Sequence, residues 1–210
     1  MKRAEQPIPN EKQLKAITNI LLQSSKRDGL LFVLALNSGL KVSEILQLQV
    51  GDVLDEDKNI RPSILFYNEK VKTHKWFTVN EKLQYAINDY MKERKVWKRN
   101  EPLLKSQKGT KSITRQHAWH ILNTAAIKVG LEGISSHTLI KIWGYSVYKS
   151  GVDIAFLQHF FGHSTPSTTF KYIDIIKKRL AFLFDCHHLI QYTYTISNHS
   201  LFMTHTHKHR

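Results

Sequence analysis

A chain of 210 residues has room for one ordinary domain with short appendages, and 41% hydrophobic content with dispersed aromatics excludes an intrinsically disordered chain. Thirty-one Lys and Arg against seventeen Asp and Glu leave a formal charge of +14, which points to a polyanionic partner, either nucleic acid or an anionic membrane surface. Insertion into a membrane is not expected, because no stretch reaches the roughly 18 uninterrupted apolar residues that a bilayer span requires. The N-terminal MKRAEQPIPNEKQ has no apolar secretory region and Cys186 is the single cysteine, so an intracellular, cytoplasmic location is expected.

Residues 1–9 read as a polar, proline-bearing lead-in. Asn10 can then cap a helix over residues 11–24, where Leu14, Ile17, Ile20 and Leu21 recur near helical spacing. The run from Asp28 to Asn37, DGLLFVLALN, is almost wholly apolar and is followed by Ser38 and Gly39, as a buried core helix with a glycine stop would be. LKVSEILQL predicts a short helix with a polar face, with Gly51 and Asp52 as turn residues after it. Between residues 61 and 79, β-branched and aromatic residues flank NEK and THK, a pattern that predicts two or three short antiparallel strands.

Helix returns after Asn80, with Leu83, Ile87 and Met91 four apart and the basic KERKVWKR at its end. A further amphipathic segment runs from Ile113 to Val129 and stops at Gly130. Ser135 and Ser136 lead into a helix over HTLIKIWGYSVYKSG that packs through Leu139, Trp143 and Val147, and helical pieces follow around Asp153 to Phe161 and from Pro166 onward. The fold class is therefore mainly α with a small antiparallel β-sheet. Beyond Asp185, residues 186–210 hold six of the twelve histidines and no Asp or Glu. Without carboxylate or thiolate partners such a tract offers no defined metal geometry, so it reads as a loosely held tail and no metal site is expected. Neither a glycine-rich phosphate loop nor a paired-cysteine zinc spacing occurs, which removes support for nucleotide hydrolysis and zinc-finger binding.

Lys41, Glu44, Lys72, His137, Lys141, His163 and Tyr172 fall at helix starts, in turns or near the basic face. Metal-free phosphodiester cleavage needs a nucleophile, cationic donors for the non-bridging oxygens and an acid for the departing oxygen, roles that Tyr, His and Lys can fill. Residue types alone leave a structural role open at each position; motif order narrows the choice. SGLKVSEILQLQVGDV (38–53), VKTHKWFTV (71–79) and HTLIKIWGYSVYKSGVDIAFLQHFFGHSTPSTTFKY (137–172) together resemble the catalytic domain of tyrosine recombinases, the phage integrase family, over residues 10–180.

That resemblance implies a tyrosine-recombinase-like domain over residues 10–185. Tyr172 would attack phosphorus to form a 3′-phosphotyrosyl bond while the 5′ hydroxyl leaves, later to attack the partner duplex, with no cofactor. It puts Lys41 at the first catalytic arginine position, Glu44 at the acidic position after it, and Lys72 as the hairpin general acid, with Lys75 as the weaker alternative. His137 opens the family's HxxR box, Ile140 occupies its arginine position, His163 matches the LGH box and Tyr172 the nucleophile.

Two arginines are thus replaced, one by a compact ammonium without the bidentate fork and one by a side chain with no donor. Lys141, about 100° around the helix from Ile140, reads as a solvated surface lysine. The expected activity is therefore impaired, with a non-catalytic DNA-binding or regulatory module as the alternative. A basic helical protein that binds RNA or membranes would explain the charge but not the motif order. Lys41, Lys72, Lys75 and Lys141 are the expected DNA contacts. Double-stranded DNA is the expected partner, joined by an oligomer on DNA or a partner recombinase. The family's separate N-terminal helical domain has no counterpart in the nine residues before the first helix, so affinity is expected to rest on phosphate contacts.

Overall fold

The computed structural model describes residues 9–69 and 72–180, without the side chains of residues 68, 73 and 174–180; the predicted tail lies outside the described residues. Helix α1 (Glu11–Ser24) starts at a reciprocal cap. The Gln13 N–H donates to Asn10 Oδ1 at 2.8 Å, and the Asn10 N–H donates to Gln13 Oε1 at 3.0 Å. Ser25 ends α1 and also caps α2 (Lys26–Asn37), which begins two residues before the predicted start. Leu30, Leu31, Phe32 and Leu34 of α2 are fully buried, as an apolar run without a polar face demands.

Two single-turn helices follow, α3 (Val42–Ile45) and α4 (Val50–Val53). Gly51 and Asp52 were expected in a turn but lie inside α4, because the Asp52 carboxylate accepts the Gln49 N–H at 2.7 Å and closes a helical turn there. Strands β1 (Ser63–Asn68) and β2 (Thr73–Thr78) form one antiparallel hairpin in which Leu65 faces Trp76 and Tyr67 faces His74. Ile64, Phe66 and Phe77 point into the core while Leu65, Tyr67 and Trp76 stay exposed, the alternation of a half-buried strand pair. Asn80 caps α5 (Glu81–Arg94) and donates to Asn37 Oδ1 at 2.7 Å, fixing the hairpin exit to the end of α2.

The second half contains α6 (Arg115–Lys128), α7 (Ser136–Lys149), α8 (Ile154–Phe161) and α9 (Pro166–Leu180). Buried Asn123 pins the loop before α7, donating to the Ile134 carbonyl at 3.1 Å and accepting the Ile134 N–H at 2.9 Å. Apolar side chains form a main core around α2, and a second cluster of Trp143, Val147, Leu157 and Ile173 between α7, α8 and α9. Helix α7 joins the two: Leu139 belongs to the first, Trp143 and Val147 to the second. The architecture is mainly α with one small antiparallel sheet, as predicted.

Candidate active site

Four separate segments meet at one cavity of about 560 Å³: the turn into α3, strand β2, the start of α7, and the stretch from α8 into α9. Gly39 sets the first approach. Its φ is +67°, and a Cβ there would lie 2.7 Å from Trp143 and 2.8 Å from Phe160, so only glycine lets the chain turn against both rings. The Val42 N–H then donates to Ser136 Oγ at 3.2 Å, tying α3 to the first turn of α7. On the other side Gly144 gives room to Phe161, whose Cζ would lie 2.6 Å from an added Cβ, which draws α8 onto α7.

Glu44 organises the wall from which Lys41 projects. Its carboxylate is 3% exposed, accepts the Lys41 N–H at 2.8 Å and takes the Lys75 ammonium at 2.9 and 3.0 Å. The Lys75 ammonium also sits 5.2 Å from the Phe160 ring centroid. A buried ion pair of this kind loses its balance if one partner is removed, because the other charge stays desolvated.

At the opposite wall, α8 ends at Gly162 in the left-handed conformation, and the chain turns through His163 into α9. His163 Nδ1 lies 2.9 Å from Thr169 Oγ1, and that hydroxyl is 3.5 Å from the Thr165 carbonyl. When the hydroxyl hydrogen goes to Thr165, Nδ1 carries the imidazole hydrogen and Nε2 is left as an acceptor. Burial holds the His163 imidazole below its ordinary pKa and pushes the Tyr172 phenol above its own. The two rings meet edge to face at 5.3 Å, and Phe161 covers Tyr172 at 5.2 Å.

The cavity brings together Lys41, Glu44, Lys75, His137, His163 and Tyr172, and Ile140 lies on the same wall. Lys72 does not line it: it is exposed on the hairpin turn with a φ of 51°. Lys141 differs from a freely solvated lysine. It is half-buried, with its ammonium 5.2 Å from the Tyr172 ring centroid, because α9 folds back over the face of α7 that carries it. Sequence reasoning missed His74 and His159, which also line the cavity. His159 stands on the last turn of α8, ahead of the glycine that ends the helix before His163, and nothing in the helix or strand patterns marked His159 or His74. Among the described residues no three His, Cys, Asp or Glu side chains are grouped to hold a metal ion, and no helix is long and apolar enough to cross a membrane.

Residues 9–179 match the family model described as the phage integrase family. The chain is 39% identical over 170 residues to a probable integrase/recombinase, YoeC, of Bacillus subtilis strain 168, covering 81% of this chain and 90% of that protein. Against the tyrosine recombinase XerD of Yersinia pestis it is 28% identical over 188 residues, 85% of this chain but 61% of the relative. The fold overlays on the XerH site-specific recombinase, solved bound to palindromic difH substrate as a post-cleavage complex, with a TM-score of 0.64 and 20% identity. That overlay covers 84% of this chain and 52% of the other.

Proposed function

The chain belongs to the phage integrase family, and on that footing we propose that it binds duplex DNA and cleaves a strand slowly through Tyr172. The observation that carries this reading is the convergence of Tyr172, His163, His137 and Lys41 on one cavity from segments far apart in sequence. A net charge of +14 supplies the attraction to phosphates.

In the proposed step the Tyr172 oxygen attacks phosphorus and gives its proton to a base. The acceptor Nε2 of His163, on the ring packed edge to face against the phenol, suits that role. The bond from phosphorus to the 5′ oxygen breaks, and that oxygen leaves with a proton from a hairpin lysine. Lys75 is the hairpin lysine on the cavity wall, whereas Lys72 is exposed and does not line it. Lys41 and His137 donate to the non-bridging oxygens.

The slowness follows from what the wall lacks. Lys41 offers one point charge in place of a planar fork, and Ile140 presents methyl groups where the family places a guanidinium. Removal of one oxyanion donor costs on the order of 10² to 10³ in rate. A phenol raised by burial compounds the loss, since less of it is ionised at neutral pH. The second reading, a non-catalytic DNA-binding module, is favoured by the same Ile140. Trapping of covalent protein–DNA adduct on nicked duplexes, with Tyr172→Phe as control, separates the two: adduct that needs Tyr172 supports the slow enzyme, and none at any time supports the binding module.

A further inference from the structure

We infer that His74 and His159 are phosphate ligands of this cavity, adding donors beside Lys41 and His137 to a wall where Ile140 supplies none. The inference rests on the cavity being a phosphate site. Four imidazoles line the cavity: His74 on β2, His137 on α7, and, from the stretch that leads from α8 into α9, His159 on the last helical turn and His163 beyond it. Glu44 is the one carboxylate among the lining residues, and it is engaged by Lys75. The wall is therefore rich in donors and short of free negative charge, which suits an anion. The four rings are not disposed as a metal cluster, since no grouping of three potential ligands occurs among the described residues.

The imidazoles divide by environment. His163 has its Nδ1 engaged by Thr169, and its ring is partly withdrawn from solvent. His74 and His159 line the cavity while staying exposed to solvent, and an imidazole has an N–H to donate in either charge state. His74 packs against the Tyr67 ring, with centroids 4.7 Å apart and 35° between planes, a contact that restricts its orientation. Both imidazoles border the same space as Tyr172.

The test uses the full chain, inorganic phosphate as probe, and nuclear magnetic resonance of the histidine side chains. His74 and His159 resonances should move on titration. His74→Ala and His159→Ala, which leave no donor, should each weaken phosphate binding about tenfold, the loss expected for one hydrogen bond to a charged group. Because both side chains are exposed, thermal midpoints should stay at the wild-type value. The inference is overturned if the double variant binds phosphate like wild type while Lys41→Gln and His137→Gln weaken it; the cavity is then a phosphate site without these two ligands. If wild type shows no phosphate binding that any of the four substitutions weakens, the reading of the cavity fails, and the inference with it.

Discussion

On the proposed slow cleavage, arginine introduced at positions 140 and 41 should raise the rate sharply, because it supplies fork-shaped donors that Ile140 and Lys41 lack. Ile140 is 4% exposed and lines the cavity, so a guanidinium on a longer stem at that position projects into the space before Tyr172. One restored oxyanion donor is worth roughly 10² to 10³ in rate, about 2.7 to 4 kcal/mol. Lys41→Arg should add less, since a charge is already there and effects within one constellation do not sum. The exchange at 140 forfeits burial of an isoleucine worth about 1.5 to 3 kcal/mol, part of which the arginine stem recovers. A domain with a typical stability of about 5 to 15 kcal/mol stays folded through that loss. The assay incubates wild type, Ile140→Arg and the double variant with a pool of nicked duplexes of randomised sequence. Covalent adduct is scored under denaturing conditions, with Tyr172→Phe added to each background. An increase of about 10² or more for Ile140→Arg, abolished by Tyr172→Phe, is the expected outcome. Wild type forming adduct as fast as the double variant would refute the argument that the missing donors limit the rate.

Gly144→Ala places a Cβ 2.6 Å from Phe161 and should destabilise the fold by about 1 to 3 kcal/mol in denaturant titrations; Gly39→Ala should cost more, because it adds a φ of +67° to contacts with Trp143 and Phe160. Thr169→Val removes the hydroxyl that holds His163 Nδ1, so in the Ile140→Arg background it should lower adduct formation more than stability. Burial raises the Tyr172 phenol, so the phenolate absorbance of wild type less that of Tyr172→Phe should titrate above the ordinary value of about 10. Burial lowers the His163 imidazole, so the unfolded chain takes up that proton first and stability falls as pH drops below about 6.5. Unfolding midpoints should therefore fall further on acidification in wild type than in His163→Gln.

Where one periodicity dominates, the sequence was transparent. Asn10 announced the start of α1, and the apolar run of α2 read as a buried helix. The β-branched and aromatic residues around NEK and THK marked the strands, but the unbroken run Ile64 to Tyr67 did not show that Leu65 and Tyr67 would be the exposed pair. Elements shorter than a period were less readable: α4 is one turn, held by the Asp52 carboxylate closing on the Gln49 N–H, and glycine beside aspartate looks like a turn either way. The cavity divided along the same line. His163 and Tyr172 stood in ordered motifs, while His74 and His159 had no local mark, because what brings them to the cavity is the packing of β2 and α8 against other segments.

Lys141 shows most directly why position along a helix does not determine what a side chain touches. Its offset of about 100° turns it away from the direction of Ile140, and an isolated α7 would leave it in water. Helix α9, however, packs on both α7 and α8, and that arrangement sets the Tyr172 ring beside the Lys141 ammonium. Lys141 is thereby positioned to restrict how the tyrosine ring turns. Its removal should be felt as looser aim of the nucleophile, so Lys141→Met in the Ile140→Arg background should reduce adduct formation while leaving equilibrium DNA binding within about threefold, as befits the loss of one lysine from a strongly basic chain. A DNA affinity that fell in step with adduct would assign Lys141 to the phosphate backbone instead.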